Sequence, residues 1–327
     1  MADAEDPDRA EDRAPEPIET GSVLRGIGLK VASVAVFMAM TACIKAVSAE
    51  IPPGEVVFFR SFFALPPLLI WLALRGELST GFRAKDPWGH LWRGLVGGGA
   101  MALSFAALGL LPLTEVVAIT YAAPLFVTIL AAMFLNERVR LYRLTAVALG
   151  MAGVAIVLSP RLSVLQTEGA TDVQTLGAVL ALMAAVLMAL AQVFVRKLVR
   201  TESTSSIVFW FSITCTGLAL LTLPWGWVIP SPREAALLVT AGLLGGVAQI
   251  FLTTAYRHAE VGVIAPFEYV SMLLAIGVGW FLFAEAPTGV VLGGAALIAT
   301  GGILIIWRER QLGLERARAK AAKGHPG

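Results

Sequence analysis

The sequence predicts an all-α integral membrane protein whose ten transmembrane helices form two inverted five-helix repeats. Its 327 residues are 57% hydrophobic and only 15% charged, with a mean hydropathy of +0.78. So few charges cannot cover a water-soluble globule of this length, and the apolar runs approach the ~20 residues that cross a bilayer as a helix. An internal duplication and the distribution of Lys and Arg complete the prediction.

The duplication is visible as a stretch that occurs twice. Residues 94–153 recur, shifted by 148 positions, as residues 242–301, and in this register Tyr121 corresponds to Tyr269. Upstream the shift drifts to 150 or 151, so the two copies of the repeat together cover most of the chain. The predicted organisation is a disordered acidic cytoplasmic tail at 1–25, a first repeat at 26–159, a periplasmic linker at 160–175, a second repeat at 176–307 and a basic cytoplasmic tail at 308–327.

Ten spans are predicted, separated by turn residues or charges. They cover about 26–47, 54–74, 88–110, 113–134, 141–159, 176–199, 204–225, 234–256, 261–283 and 288–307. With the N-terminus in the cytoplasm, nineteen of the 25 Lys and Arg residues fall on the cytoplasmic side, against Arg161 and Arg233 outside. This asymmetry places both termini in the cytoplasm. Because each repeat has an odd number of spans, the second enters the membrane upside down.

An inverted repeat is typical of alternating-access carriers, since two related halves can exchange conformations around a site at the bilayer midplane. A channel and a duplicated structural protein are the alternatives. An enzyme is disfavoured, because the spans hold no metal-binding His/Glu spacing, nucleophile elbow or paired-Asp motif. Cys43 and Cys215 lie in apolar runs and predict neither a disulfide nor a metal site. We expect no cofactor.

Several of these features together resemble a known family. They are Arg60 in the second span, the run 124–135 that ends in Asn136-Glu137, and the run 265–269 whose span ends in Ala284-Glu285. With the two five-helix units they resemble the EamA repeats of the drug/metabolite transporter superfamily and, within it, the amino-acid exporters of the YddG type. The resemblance implies export of aromatic or other neutral amino acids and related metabolites across the bacterial inner membrane. It also implies a central cavity lined by the first, third, fourth, sixth, eighth and ninth spans.

Candidate substrate-binding residues are polar or aromatic groups inside spans. Glu268 lies near the start of the ninth span, where a carboxylate is costly unless it is protonated, paired or in contact with water. It either binds a substrate ammonium, carries a proton or bonds a neighbouring helix. Tyr121 and Tyr269 occupy matching repeat positions and suit either a cavity for apolar side chains or simple packing. Gln192 and Gln249 each need a hydrogen bond within the membrane, across helices or to a ligand.

Three charges are predicted to have structural or gating roles. Arg60 either attracts a carboxylate or, as the favoured interpretation, pairs with Glu55. Glu137 and Glu285 end equivalent spans at opposite faces of the membrane, and Glu285 has no basic neighbour in sequence.

Small residues and prolines are predicted to shape the helices. Gly97, Gly98, Gly245 and Gly246 make flat surfaces for close helix packing. Pro124 and Pro266 each remove a backbone hydrogen bond near the start of a span. Lys30 and Lys45, near the ends of the first span, are expected to extend to water and to carry no chemistry.

The expected partners are a small-molecule substrate and the lipid bilayer, with a monomer as the simplest oligomeric state. A nucleic-acid site is not expected, because no aromatic residues are interleaved with the basic charges of 308–323. The alternative substrate class is a sugar phosphate or nucleotide sugar, which requires a cluster of basic residues in the cavity.

Overall fold

The computed structural model describes residues 20–78, 81–123, 125, 126, 130, 141–162, 172–198, 201–258, 267, 268 and 270–323, and this part of the chain is helical without any strand. Its α-helices are α1 (Thr20–Lys45), α2 (Pro53–Phe62), α3 (Leu65–Leu74), α4 (Pro87–Leu110), α5 (Leu113–Thr120), α6 (Leu141–Leu162), α7 (Asp172–Leu198), α8 (Thr204–Leu220), α9 (Pro232–His258), α10 (Val270–Phe283) and α11 (Gly289–Lys323).

Five helical stretches in this part of the chain are long and apolar enough to cross a membrane. They are Leu24–Lys45, Pro53–Leu74, Pro87–Leu110, Val173–Val195 and Pro232–Leu252, and shorter apolar helices accompany them in α6, α8, α10 and α11. The second stretch joins α2 and α3 across a turn at Phe63–Ala64. These helices confirm the prediction of an all-α membrane protein.

Several helix ends differ from the predicted spans, for local reasons. Helix α1 begins at Thr20, within the tail predicted to be disordered. Helix α8 stops at Leu220 instead of continuing to 225, because Pro224 and the left-handed Gly226 (φ +96°) cannot continue an α-helix. Helix α11 continues through the basic segment to Lys323, because the Ala, Leu, Arg and Lys residues of this segment favour helix.

Helix pairing follows the duplication. Helix α1 packs along α9 and α4 packs along α7, and these two pairs are equivalent, because the repeat relates α1 to α7 and α4 to α9. The pairs α6·α11, α2·α8 and α5·α10 each join a helix to its own repeat mate. This is the pattern that a pseudo-two-fold axis between inverted repeats produces.

Glycines make the contacts between the two repeats close. On α4, a Cβ at Gly98 would lie 3.1 Å from Sγ of Cys215 on α8. On α9, a Cβ at Gly246 would lie 2.7 Å from the carbonyl oxygen of Ala64, at the start of α3. The glycine face of the third span in each repeat (α4 and α9) therefore packs against the second span of the other repeat (α8 and α2–α3).

The backbones of α6 and α11 also cross in close contact. A Cβ at Gly153 would lie 2.7 Å from the carbonyl oxygen of Gly294, and a Cβ at Gly294 would lie 2.7 Å from that of Gly153. Backbone meets backbone here, so neither side can move aside as a flexible side chain would. A Cβ at the neighbouring Gly293, in contrast, would meet no atom within 4 Å.

The break between α4 and α5 is caused by Pro112. This residue has no N–H to donate to the carbonyl of Leu108, and Leu111 turns into extended backbone. Lys45 Nζ donates to the carbonyl oxygen of Leu108 at 2.9 Å and to that of Leu111 at 2.6 Å. The expectation that Lys45 extends to water is therefore wrong.

Glu285 completes the same junction from the other repeat. Its Oε2 accepts the backbone N–H of Leu113 at 2.7 Å, and its Oε1 lies 3.1 Å from Lys45 Nζ. The first N–H groups of a helix have no partner within the helix, so the carboxylate caps α5. One ion pair thus satisfies three backbone groups at a break inside an apolar protein.

We expect Gly294→Ala to lower the free energy of unfolding by roughly 1 to 3 kcal/mol, because the new methyl group overpacks the crossing with α6. Gly293→Ala is the matched control and should be neutral or gain up to about 1 kcal/mol from helix propensity. Thermal unfolding of the purified protein in detergent measures both. Equal effects of the two substitutions would contradict the close approach.

We expect Lys45→Met to destabilise the protein by on the order of 3 kcal/mol, since it leaves the mostly buried Glu285 carboxylate without its cation. The double variant Lys45→Met with Glu285→Gln should lose less free energy of unfolding than the two single variants lose together. The difference should be about 0.5 to 3 kcal/mol. Thermal unfolding of all three variants measures the coupling.

Glu77→Gln serves as the control for this cycle, because Glu77 belongs to an exposed pair with Arg75 at 4.0 Å. Its loss should stay below about 1 kcal/mol. Strictly additive effects of Lys45→Met and Glu285→Gln would show that the junction does not depend on their contact.

Candidate functional site

Two arginines from different helices, Arg60 buried and Arg93 half-buried, meet around one aromatic ring. Arg60 of α2 is 6% exposed, and its Cζ lies 5.8 Å from the ring centre of Phe211 on α8. Arg93 of α4 lies over the same ring, with Cζ 3.9 Å from the centre. The ring face attracts both cations and holds them near each other. We call Arg60, Ser61, Arg93 and Phe211 the arginine cluster.

The arginine cluster holds most of the unsatisfied buried side-chain groups. In the described part of the chain, the buried side-chain polar atoms without a hydrogen-bond partner are Arg60 Nε, Ser61 Oγ, Arg93 Nε, Arg93 Nη1 and His90 Nδ1. All but the last belong to this cluster. Buried polar groups are normally hydrogen-bonded, so this concentration of unsatisfied donors makes the arginine cluster the candidate site for a ligand or an ion.

No carboxylate neutralises the arginine cluster among the described residues. The ion pairs found there involve Lys30, Lys45, Arg75 and His90, and neither cluster arginine. The expected pair of Arg60 with Glu55 does not form, because Glu55 accepts the backbone N–H of Val228 instead. An uncompensated Arg costs about 2.5 to 3.5 kcal/mol at the centre of a membrane helix on insertion scales.

A second polar group joins α1 to the segment before α10. Lys30 Nζ contacts the carboxylate of Glu268, whose side chain is 53% exposed whereas that of Lys30 is 2% exposed. The Tyr121 hydroxyl bonds the Glu268 carbonyl oxygen at 3.3 Å and also contacts Ser271. Lys30 is therefore buried and paired, and the expectation that it extends to water is wrong.

The two ion pairs fix α1 and α10 side by side. Lys30 meets Glu268 just before α10 begins, and Lys45 meets Glu285 just after α10 ends. The two helices therefore run parallel. Met40 of α1 contacts the same glycine, Gly245, as Arg60 does. At 1.5 Å per residue, Met40 lies roughly 15 Å along α1 from Lys30, so the arginine cluster lies between the two pairs.

The packing glycines predicted from sequence lie at the arginine cluster. A Cβ at Gly97 would contact Arg93 Nη1 and the Phe211 ring, and a Cβ at Gly245 would lie 3.3 Å from Arg60 Nε. Gly98 faces Cys215, which is also adjacent to both arginines and Ser61. The absence of side chains at these glycines leaves the room that the two guanidinium groups occupy.

The other predicted residues are dispersed or lie outside the described residues. Gln192 is exposed on α7, and Gln249 is half-buried on α9. Tyr269, Glu137, Pro124 and Pro266 fall outside the described residues. Glu285 lies at the α4–α5 junction, on the opposite side of the arginine cluster from Glu268.

Arg93 is the main residue that the sequence analysis missed. It lies within the third span, and the sequence alone identifies it only as a charge inside the membrane. The available signal was that Arg60 and Arg93 both lie inside apolar spans, where an ionised group is itself a sign of function. Nothing in the local sequence shows that the two guanidinium groups share one phenylalanine.

The chemistry of these groups is that of binding and not of bond breaking. In the described residues no cluster of three or more His, Cys, Asp or Glu side chains could hold a metal ion. Two guanidinium groups with free donors can bind an oxyanion, and a lysine–glutamate pair can open and close or exchange a proton.

Family comparisons agree with a transport function. The model of the EamA-like transporter family matches residues 24–159 and again 175–307, and the model of solute carrier family 35 matches residues 105–223. A solved crystal structure shares the fold, with a TM-score of 0.62 at 20% identity over 90% of this chain and 99% of that one.

Curated relatives are transporters too. The pseudopaline exporter CntI of Pseudomonas aeruginosa is 31% identical over 86% of this chain and 95% of its own length. A riboflavin transporter of Rhizobium johnstonii is 30% identical over 79% and 82%, and an S-adenosylmethionine uptake transporter of Rickettsia felis is 28% identical over 88% and 94%. The chain therefore belongs to the EamA-like transporter family of the drug/metabolite transporter superfamily, whose members are membrane transporters and not enzymes.

Proposed function

We propose that this protein is a carrier of the bacterial inner membrane that exports amino acids, aromatic or otherwise neutral, and related metabolites by alternating access. The observation that carries the proposal is the buried arginine cluster between two ion pairs, inside a pair of inverted repeats. A carrier needs a binding site within the membrane and a barrier on each side of it. The cluster and the two pairs have that arrangement along α1.

The orientation of the carrier is proposed from charge. Lys and Arg concentrate in the loops that share a side with both termini, which puts those loops and the termini in the cytoplasm. In this orientation the Lys30–Glu268 pair lies toward the cytoplasm and the Lys45–Glu285 pair toward the periplasm. The exposure of Glu268 makes its pair the more accessible barrier.

An amino acid fits the polar groups of this site. Its carboxylate matches a guanidinium donor of the arginine cluster. One relative is named for S-adenosylmethionine, which is itself an amino-acid derivative, although that relative is an uptake transporter. The relatives are named for different substrates and for both directions, so substrate and direction belong to the proposal.

A sugar-phosphate or nucleotide-sugar carrier is the second candidate. The solute carrier family 35 match over residues 105–223 favours it, as does the presence of two neighbouring arginines with buried, unpartnered donors where phosphate binding needs a basic cluster. A passive channel would also move such solutes, but without saturation or exchange.

We expect counterflow in liposomes to show carrier activity. Vesicles with the purified protein are loaded with one unlabelled amino acid at a time, and uptake of labelled phenylalanine or threonine is followed. Uptake should saturate and should depend on the internal amino acid. A carrier exchanges substrates, so its binding site returns to the outer face of the vesicle with the internal amino acid bound. Protein-free vesicles are the control.

Two outcomes would redirect this proposal. Uptake that neither saturates nor depends on the internal solute would indicate a channel. If amino acids give no uptake but phosphorylated metabolites do, the substrate class is wrong and the second candidate replaces it.

If Glu268 carries a proton, we expect Glu268→Gln to abolish uphill transport driven by a pH gradient while leaving exchange of substrate for substrate. Protonation of Glu268 removes its attraction to Lys30, and a glutamine cannot be ionised. Glu77→Gln, in an exposed pair, is the matched control and should behave as the unmodified protein. An unchanged pH dependence of Glu268→Gln would remove the proton role and leave facilitated exchange.

A further inference from the structure

We infer that Arg60 and Arg93 form a subsite that binds the carboxylate of the transported molecule. The inference rests on the proposed function, and it assigns one chemical group of the substrate to two named side chains. Arg60 and Arg93 come from different helices, α2 and α4, and approach the same aromatic residue, Phe211, on a third helix. The subsite is therefore assembled only in the folded bundle.

The charge of the arginine cluster requires an anion. Both side chains carry a full positive charge, and arginine does not deprotonate in proteins. The two guanidinium groups also repel each other, and in the described residues no acidic side chain forms an ion pair with either. A bound oxyanion would relieve the repulsion and replace the water that each charge loses on burial.

The unpartnered donors have the chemistry that such a ligand needs. Arg93 leaves Nε and Nη1 without partners, and Arg60 leaves Nε. A carboxylate accepts N–H bonds from such guanidinium donors, and it can accept two at once. Ser61 Oγ, adjacent to Arg60 in sequence and next to Cys215, can supply one further donor.

The surrounding residues hold the donors in place but satisfy none of the free atoms. The Phe211 ring supports both cations, while Gly97 and Gly245 contribute no side chain where the guanidinium groups lie. A purely structural arginine in an apolar interior is normally bonded to a carboxylate or to backbone carbonyls. Here packing positions the charges and leaves these atoms without a hydrogen-bond partner.

The shared chemistry of the ligand is that of an oxyanion, which is a carboxylate in an amino acid and a phosphate in a phosphorylated metabolite. The first measurement uses the unmodified protein and needs no variant. Purified protein in detergent is titrated with phenylalanine and with phenylalaninamide, which lacks the negative charge, and then with succinate and with inorganic phosphate. The shift of the thermal unfolding midpoint reports binding.

We expect phenylalanine to bind at least about tenfold more tightly than phenylalaninamide, because only the acid offers charge-assisted bonds to the guanidinium groups. In Arg60→Gln and Arg93→Gln this ratio of affinities should fall toward one. Arg93→Lys should keep part of the ratio, because lysine retains the positive charge but lacks the paired N–H donors of a guanidinium group. Arg75→Gln is the matched control, since Arg75 also lies over an aromatic ring, Trp71, at 4.7 Å but is exposed. It should keep the full ratio.

The outcomes separate this inference from the proposed function. If amino acids exchange in liposomes but acid and amide bind equally, or if both glutamine variants keep the discrimination, the subsite is overturned and the carrier stands. If no amino acid binds but succinate or phosphate shifts the midpoint of the unmodified protein and not of Arg93→Gln, the subsite is supported and the amino-acid substrate is overturned. If no oxyanion binds the unmodified protein, the subsite is overturned.

Discussion

The structure depends on one constraint, that polar groups inside an apolar bundle must find their partners within the protein. The junction between α4 and α5 shows how this is met. Pro112 breaks the helix and frees carbonyls, Lys45 bonds them, and Glu285 both neutralises Lys45 and caps the next helix. The break is therefore stabilised by a residue from each repeat, which ties the two halves together at this end of α1.

The duplication determines how the two halves meet. Because equivalent helices pair across the pseudo-two-fold axis, the glycine faces of α4 and α9 each lie on the second span of the opposite repeat. The same faces allow Arg60 and Arg93 to approach, since a larger residue at Gly97 or Gly245 would occupy their space. The two repeats are thus related by symmetry in their packing, but the charges of the arginine cluster break that symmetry. The repeat equivalent of Arg60 is Phe211, the ring that both arginines contact.

The charged groups that the structure describes along α1, α2, α4 and α10 differ in their partners. Lys30, Lys45, Glu268 and Glu285 are paired, so their cost in the membrane is offset internally. The guanidinium groups of Arg60 and Arg93 keep unsatisfied buried atoms. Paired charges join helices and can act as barriers. Charges that the fold leaves without partners can instead be stabilised by a ligand of opposite charge.

The sequence by itself determined the membrane class, the duplication and the family, because hydrophobic runs and internal repeats are local properties of the chain. It also indicated Glu268 and Arg60 as unusual, since a charge within an apolar run is visible without a structure. Only the tertiary structure decided the partners: Lys30 with Glu268, Lys45 with Glu285, and Arg93 beside Arg60. Those contacts join residues far apart in sequence, and they depend on which face each helix turns toward its neighbours, which no local pattern encodes.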